Sequence, residues 1–276
     1  MLGDSFTWGW GVEKNETFSD IIEKDFYAQG DKIDVINAGF LSYSPLLEYL
    51  YLKNKGLEYK PDIVILNFDM SDVQDDYNYE KQAVFNSIGE LLAVPSSLSG
   101  KKQISFQLKT PNFIYNLLKR IFVKVPNKQQ INSPLLYDIR YSRYSTTLNN
   151  QFQNIEHWNR SLNYITLIND LCLKNNITFI LVTYPYGHQV NTEEWKEGRC
   201  LFGFGSDIIY GDTPENLLKS YSEENNINFI ETFEKFRESN QSPLFFQYDG
   251  HFTRNGHKLI AEILLDSISE KIAKEE

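Results

Sequence analysis

Lys60-Pro61-Asp62-Ile63-Val64-Ile65-Leu66 reads as a strand covered on both faces. Four apolar, mostly β-branched residues follow a proline without alternation, too few for a helix and with no polar side for water. Working outward, Ile33-Asp34-Val35-Ile36 and Ile177-Thr178-Phe179-Ile180-Leu181-Val182 have the same character, and Ile227-Asn228-Phe229-Ile230 is a weaker example. Helical patterns lie between and after them, at Thr17–Ala28, Pro45–Lys55, Ile155–Lys174, Thr213–Asn225 and Asn255–Lys274. Strand and helix therefore alternate, which predicts an α/β fold of three layers, a parallel sheet with helices on both faces. Right-handed crossovers then bring the strand C-termini to one edge, where the sites of such folds lie.

The 276 residues suit one large α/β domain. From about Asp75 to Asn150 the alternation breaks, with Ser96-Ser97-Leu98-Ser99-Gly100 and a polar Lys/Gln/Asn stretch inside. Apolar runs there are too sparse for an independent core, so the region reads as an insertion after the third strand, a lid or substrate platform at the sheet's active edge.

Net charge is −10, and no basic stripe exists to displace counterions from phosphates, which argues against nucleic acid as a partner. Cys172 and Cys200 give neither a disulfide framework nor zinc-ligand spacing, and Cys172, in an apolar helical stretch, reads as a small core residue. No run is apolar and long enough to span a bilayer. No Gly-x-Gly-x-x-Gly or Walker pattern follows a strand, which opposes a nucleotide-binding reading.

Two constellations carry chemistry. In Gly3-Asp4-Ser5-Phe6-Thr7-Trp8-Gly9-Trp10-Gly11, a serine between strand and helix can present its hydroxyl at a sheet edge, with its own N–H turned toward the site. By itself an Asp-Ser turn or helix cap explains the same letters. In Tyr248-Asp249-Gly250-His251-Phe252-Thr253-Arg254-Asn255-Gly256-His257, a histidine suited to general-base work follows a carboxylate that can fix its tautomer. His257 falls inside the last helix and reads as structural. His188, after a strand, either lines the cleft or sits on the surface. Trp8, Trp195 and Arg199 are candidates for substrate contact, with packing and a structural ion pair as the competing reading for the last two.

Together these blocks resemble the SGNH (GDSL-type) hydrolases. Val35-Ile36-Asn37-Ala38-Gly39 through Tyr43 is similar to that family's second block, Lys60 through Asp72 to its third, and Pro185 through Arg199 to a segment of some bacterial members. The resemblance implies a flavodoxin-like SGNH fold across the chain outside the insertion. It also implies acyl-ester chemistry with Ser5 as nucleophile, His251 as base and Asp249 as its orienting carboxylate, without metal or organic cofactor. The family's catalytic motif follows a buried strand, whereas here it starts at Gly3. More chain is therefore expected upstream, carrying a strand and a leader. The chain would be cytoplasmic as it stands, and extracytoplasmic, with membrane or polysaccharide-assembly partners, if that leader exists.

There are two departures from the family pattern. Its oxyanion hole adds a Gly N–H and an Asn side chain to the serine N–H, and these positions fall at Ser42 and Ser71. The shorter Ser71 hydroxyl is a poorer donor, and losing one such donor typically costs roughly 10²–10³ in kcat. The usual Asp-x-x-His is shortened to Asp249-Gly250-His251, a spacing similar to that of polysaccharide O-acetylation relatives. The expected function is a serine-dependent O-acyl ester hydrolase or O-acetyltransferase acting on a small-molecule or glycan ester. The alternative is a catalytically weak or inactive SGNH module that binds glycans.

Overall fold

The computed structural model of the protein describes residues 1–95 and 155–275. Five parallel strands form the main sheet: β1 (Leu2–Gly3), β2 (Ala38–Gly39), β3 (Ile63–Phe68), β6 (Thr178–Thr183) and β7 (Asn228–Ile230), in the order β2-β1-β3-β6-β7. A separate antiparallel hairpin consists of β4 (Val84–Phe85) and β5 (Leu91–Ala93). The helices are α1 (Ser5–Trp8), α2 (Phe18–Gln29), α3 (Pro45–Asn54), α4 (Asp72–Glu80), α5 (Ile155–Lys174), α6 (Gly187–Val190), α7 (Lys196–Leu201), α8 (Thr213–Glu224), α9 (Phe233–Glu238) and α10 (Arg254–Glu275).

The fold is the three-layer α/β arrangement read from the sequence. The longest pairing runs in register from Ile63↔Thr178 to Phe68↔Thr183. Val64, Ile65, Leu66 and Phe68 of β3 and Phe179 through Val182 of β6 are buried, as continuous apolar runs require when helices cover both faces. One packing group joins α2 to α10, and the other joins α3 and α4 to α5. Thr17 ends the loop before α2 by accepting from the Asp20 N–H, and Gly30 closes that helix in a left-handed conformation.

Two expectations need revision. Ile33–Ile36 is not a strand. The Ile36 carbonyl accepts from the Met1 nitrogen at 2.8 Å, and the Met1 carbonyl accepts from the Ala38 N–H at 2.9 Å. Regular pairing with β1 starts at Ala38. The break in alternation placed at Asp75 falls inside α4, and the hairpin follows it. Residues 96–150 of the expected insertion lie outside the described residues.

No helix among the described residues is long and apolar enough to cross a membrane. Cys172 is fully buried on α5, and desolvation pushes its thiol up to about 12, whereas Cys200 is exposed. An aromatic disulfide reagent should therefore titrate one thiol in the native protein, on Cys200, and both only after guanidinium unfolding.

Candidate active site

Ser5 starts α1 directly beyond β1, which is held between β2 and β3 at the sheet's C-terminal edge. Gly3 permits this turn: at φ +153°, a Cβ there would lie 2.0 Å from the Thr7 hydroxyl. Asp4 caps the short helix, its Oδ1 accepting from the Phe6 N–H at 2.9 Å. As the first helical residue, Ser5 has an N–H that the helix itself cannot pair.

The loop before α10 closes onto that serine. Phe246 N–H donates to the His251 carbonyl, Thr253 N–H to Leu244, and Gly250 N–H to Phe246, making a compact turn. Glu194, almost wholly buried, anchors the start of the turn by accepting from the Ser242 hydroxyl and the N–H groups of Leu244 and Phe245. Gly250 adopts φ +87°, and a Cβ there would press on the Trp195 ring at 2.8 Å. Trp195 thus packs under the histidine loop, 6% exposed, in line with the packing reading of it and not with substrate contact.

His251 Nε2 lies 2.8 Å from Ser5 Oγ across 246 positions of sequence. Its Nδ1 is hydrogen-bonded to Asp249 Oδ1, which also accepts the His251 N–H at 3.1 Å. The other oxygen of Asp249 accepts from the Trp10 indole N–H at 3.2 Å. Phe6 packs beside the imidazole, ring centroids 4.7 Å apart. Burial opposes a charged ring at His251, but the Asp249 bond and charge outweigh it, with help from Asp4 and Asp69, and its pKa is raised above 6.5. Desolvation would raise Asp249, yet its bonds to His251 and Trp10 hold it below the usual carboxylate value. This geometry can take a proton from a serine hydroxyl and keep the resulting imidazolium stable.

The positions read as oxyanion donors behave differently from each other. Ser42 adopts φ 60°, the left-handed conformation that glycine favours. Ser71 gives both its hydroxyl and its N–H to Asp69 Oδ1, and its side chain is committed there. The hydroxyl expected to face an oxyanion is therefore bound to a carboxylate instead.

Trp8 is 48% exposed on α1 beside Trp10, as a cleft-rim residue should be. His188, read as a cleft or surface residue, and Arg199, read as a substrate contact or a structural ion-pair residue, are both fully buried. His188 stacks on Phe204 at 3.7 Å between ring centroids, and burial, assisted by the Arg199 charge, keeps it neutral. Arg199 donates to the backbone carbonyls of Gly187, Asn191, Glu194 and Ile208, stitching α6 to α7 and the loop after it. His257 is buried as expected, its pKa lowered to about 3 by desolvation, and Nδ1 accepts from the Phe18 N–H at 3.4 Å. Trp10 and Glu194 were not singled out from sequence as supports of the site. For Trp10, proximity to the Ser5 motif was the only signal available.

No protein-family model matches the sequence, and no curated protein matches it by sequence. Solved structures do match. An acetyl xylan esterase, AlAXEase, aligns at 13% identity and TM-score 0.50 over 97% of this chain and 98% of its own. A catalytic mutant of Axe2, an acetylxylan esterase from Geobacillus stearothermophilus, aligns at 14% identity and TM-score 0.50 over 97% of this chain and 91% of its own. The fold is that of the SGNH/GDSL esterases.

Replacing Arg199 by Gln should leave several buried carbonyls without a donor. We expect a loss of roughly 2–4 kcal/mol in urea unfolding. A surface contact residue would instead leave the unfolding midpoint unchanged.

Proposed function

We propose that the protein is a serine-dependent O-acyl ester hydrolase or O-acetyltransferase acting on a carbohydrate. The observation that carries this reading is the continuous chain from Ser5 Oγ through His251 to Asp249, assembled from opposite ends of the sequence. As Ser5 Oγ attacks the acyl carbonyl carbon, His251 Nε2 takes its proton. The ester C–O bond then breaks, the leaving alcohol takes that proton, and an acyl-Ser5 remains. Water or a sugar hydroxyl, deprotonated by the same nitrogen, releases the acyl group. Asp249 orients the ring and stabilises its charged form, and Trp10 holds Asp249. The N–H groups of Ser5 and Ser42 serve the oxyanion.

The carbohydrate part draws support from exposed aromatic side chains flanking Ser5. Trp8 is on its helix, Phe40 directly follows β2 and donates its N–H to the Gly3 carbonyl, and Tyr248 precedes Asp249. Such rings can stack on sugar faces, and Trp8 and Tyr248 also carry a hydrogen-bonding edge. The two acetylxylan esterases of like fold are consistent with it. One observation favours the second reading, a catalytically weak module that binds glycans: Ser71 is bound to Asp69 and withdrawn from the oxyanion position.

A fluorophosphonate probe should label Ser5, and Ser5→Ala should abolish labelling. An adduct elsewhere, with Ser5 unmodified at saturating probe, would sink the catalytic reading.

The pH profile adds a second check. The base must be neutral, so kcat/KM for p-nitrophenyl acetate should rise with pH through an apparent pKa above 6.5, following the raised His251 value. Activity is lost as pH falls through that value, because the ring is then already protonated. Asp249→Asn should cut kcat by roughly 10²–10⁴ and shift the residual profile to lower pKa, since the raising bond and charge are gone. An unchanged profile would mean that Asp249 does not serve His251.

A further inference from the structure

The esterase reading leaves a group of buried acids next to Ser5 unused. Asp4, Asp69 and Asp72 are each at most 4% exposed, and one carboxylate oxygen from each lies within 4.8 Å of the others. They are brought together because Asp4 leaves β1 and Asp69 leaves β3, and these strands are neighbours, with Gly3 opposite Asn67. Asp72 then begins α4 and accepts the Asp69 N–H on Oδ2 at 2.9 Å.

Hydrogen bonds account for only part of this acidic surface. Asp4 accepts from the Phe6 N–H, and its Oδ2 lies 3.2 Å from Ser5 Oγ, whose one proton faces either this oxygen or His251 Nε2 at 2.8 Å. Asp69 Oδ1 accepts from Ser71 and, at 2.8 Å, from the Tyr186 hydroxyl. Asp69 Oδ2 and Asp72 Oδ1 have no hydrogen-bond partner among the described residues. Neither has either oxygen of Glu48, fully buried on α3, whose charge acts on Asp72. Among the described residues no lysine or arginine pairs with any of these four acids.

An unpaired buried carboxylate costs several kcal/mol, and like charges packed together cost more. Compensation comes from bound protons or from a cation. The donor set is entirely carboxylate oxygen, which suits a hard divalent ion and excludes soft-metal preference. Opposite ligands of one Ca²⁺, each at about 2.3–2.6 Å, are roughly 4.6–5.2 Å apart, and the three oxygens, all within 4.8 Å of one another, are close enough to share one ion. One such ion engages several unpartnered oxygens together, whereas one proton satisfies a single pair. Mg²⁺ keeps several waters and is held by fewer carboxylates, so this enclosed set favours the larger ion.

We propose that Asp4, Asp69 and Asp72 form a binding site for a hard divalent cation, Ca²⁺ in preference to Mg²⁺. The ion tethers the end of β1 to the start of α4 and so holds the Ser5 turn. It also cancels negative potential that would oppose an oxyanion growing beside Ser5. Binding itself does not depend on the esterase reading and is measured without any ester.

The test uses the full chain, stripped with EDTA and then titrated with CaCl₂, and with MgCl₂ or MnCl₂ in separate arms, by calorimetry and thermal unfolding. Saturable Ca²⁺ binding with a rise in Tm is expected, tighter than for Mg²⁺. Asp69→Asn and Asp72→Asn should each weaken binding at least tenfold. Hydrogen exchange of the wild type localises the ion whether or not these variants fold, with Ca²⁺ slowing exchange in peptides covering residues 1–8 and 66–76. The proposal is overturned if none of the three ions binds saturably and stability responds to pH alone, since protons then neutralise the acids. It is equally overturned if protection maps elsewhere, or if folded Asp69→Asn and Asp72→Asn bind as tightly as the wild type.

Discussion

Leu2 and Gly3 pair in register with Ala38–Gly39 on one side and Leu66–Asn67 on the other, so a strand of two residues is held from both edges. Everything chemical in the molecule is referred to that pairing. It sets where the chain leaves the sheet, and Ser5 follows within two residues. Because neighbouring strands are parallel, the segments leaving β2 and β3 emerge at the same edge. The residues that follow β2 and β3, Phe40 and Asp69 first among them, therefore come to the same edge as Ser5 without any long-range contact being specified for each.

The histidine reaches the same edge by a different route. No sheet hydrogen bond positions it. Instead, Glu194 holds the beginning of the 242–253 loop, Trp195 lies beneath Gly250, and Phe6 packs against the imidazole. Arg199 secures the segment that supplies Glu194 and Trp195 by bonding its carbonyls. Residues 185–199 are thus a brace for the His251 loop, which accounts for a buried neutral His188 and a buried Arg199 in that segment.

Electrostatics at this edge is unusual in its sign. An oxyanion-forming site gains from donors and positive potential, yet the nearest buried groups beyond His251 are acids. Asp69 holds the Ser71 hydroxyl and is itself held by Tyr186. Under the proposed esterase reading, the carboxylate that holds the Ser71 hydroxyl would also add negative charge near the oxyanion, which links neutralisation of the acids to function at Ser5.

The sequence by itself determined the layered α/β plan and the pair Ser5 and Asp249–His251. Strand runs such as Ile63–Leu66 are buried on both faces and show as unbroken apolar stretches, and the two motifs keep their chemistry within a few consecutive residues. Helix α4 was hidden because its buried face is Asp72, Val73, Gln74 and Asp76, and a face of carboxylates leaves no hydrophobic period. Residues 33–36 look like a strand, but regular pairing with β1 is made by Ala38 and Gly39, and an apolar run does not by itself specify its partner. Only the tertiary structure decided that His188 and Arg199 face inward, that Trp10 holds Asp249, and that Asp4 meets Asp69 and Asp72. Each of these depends on which segments the sheet order brings together, and local sequence carries no record of a neighbour 65 or 239 positions away.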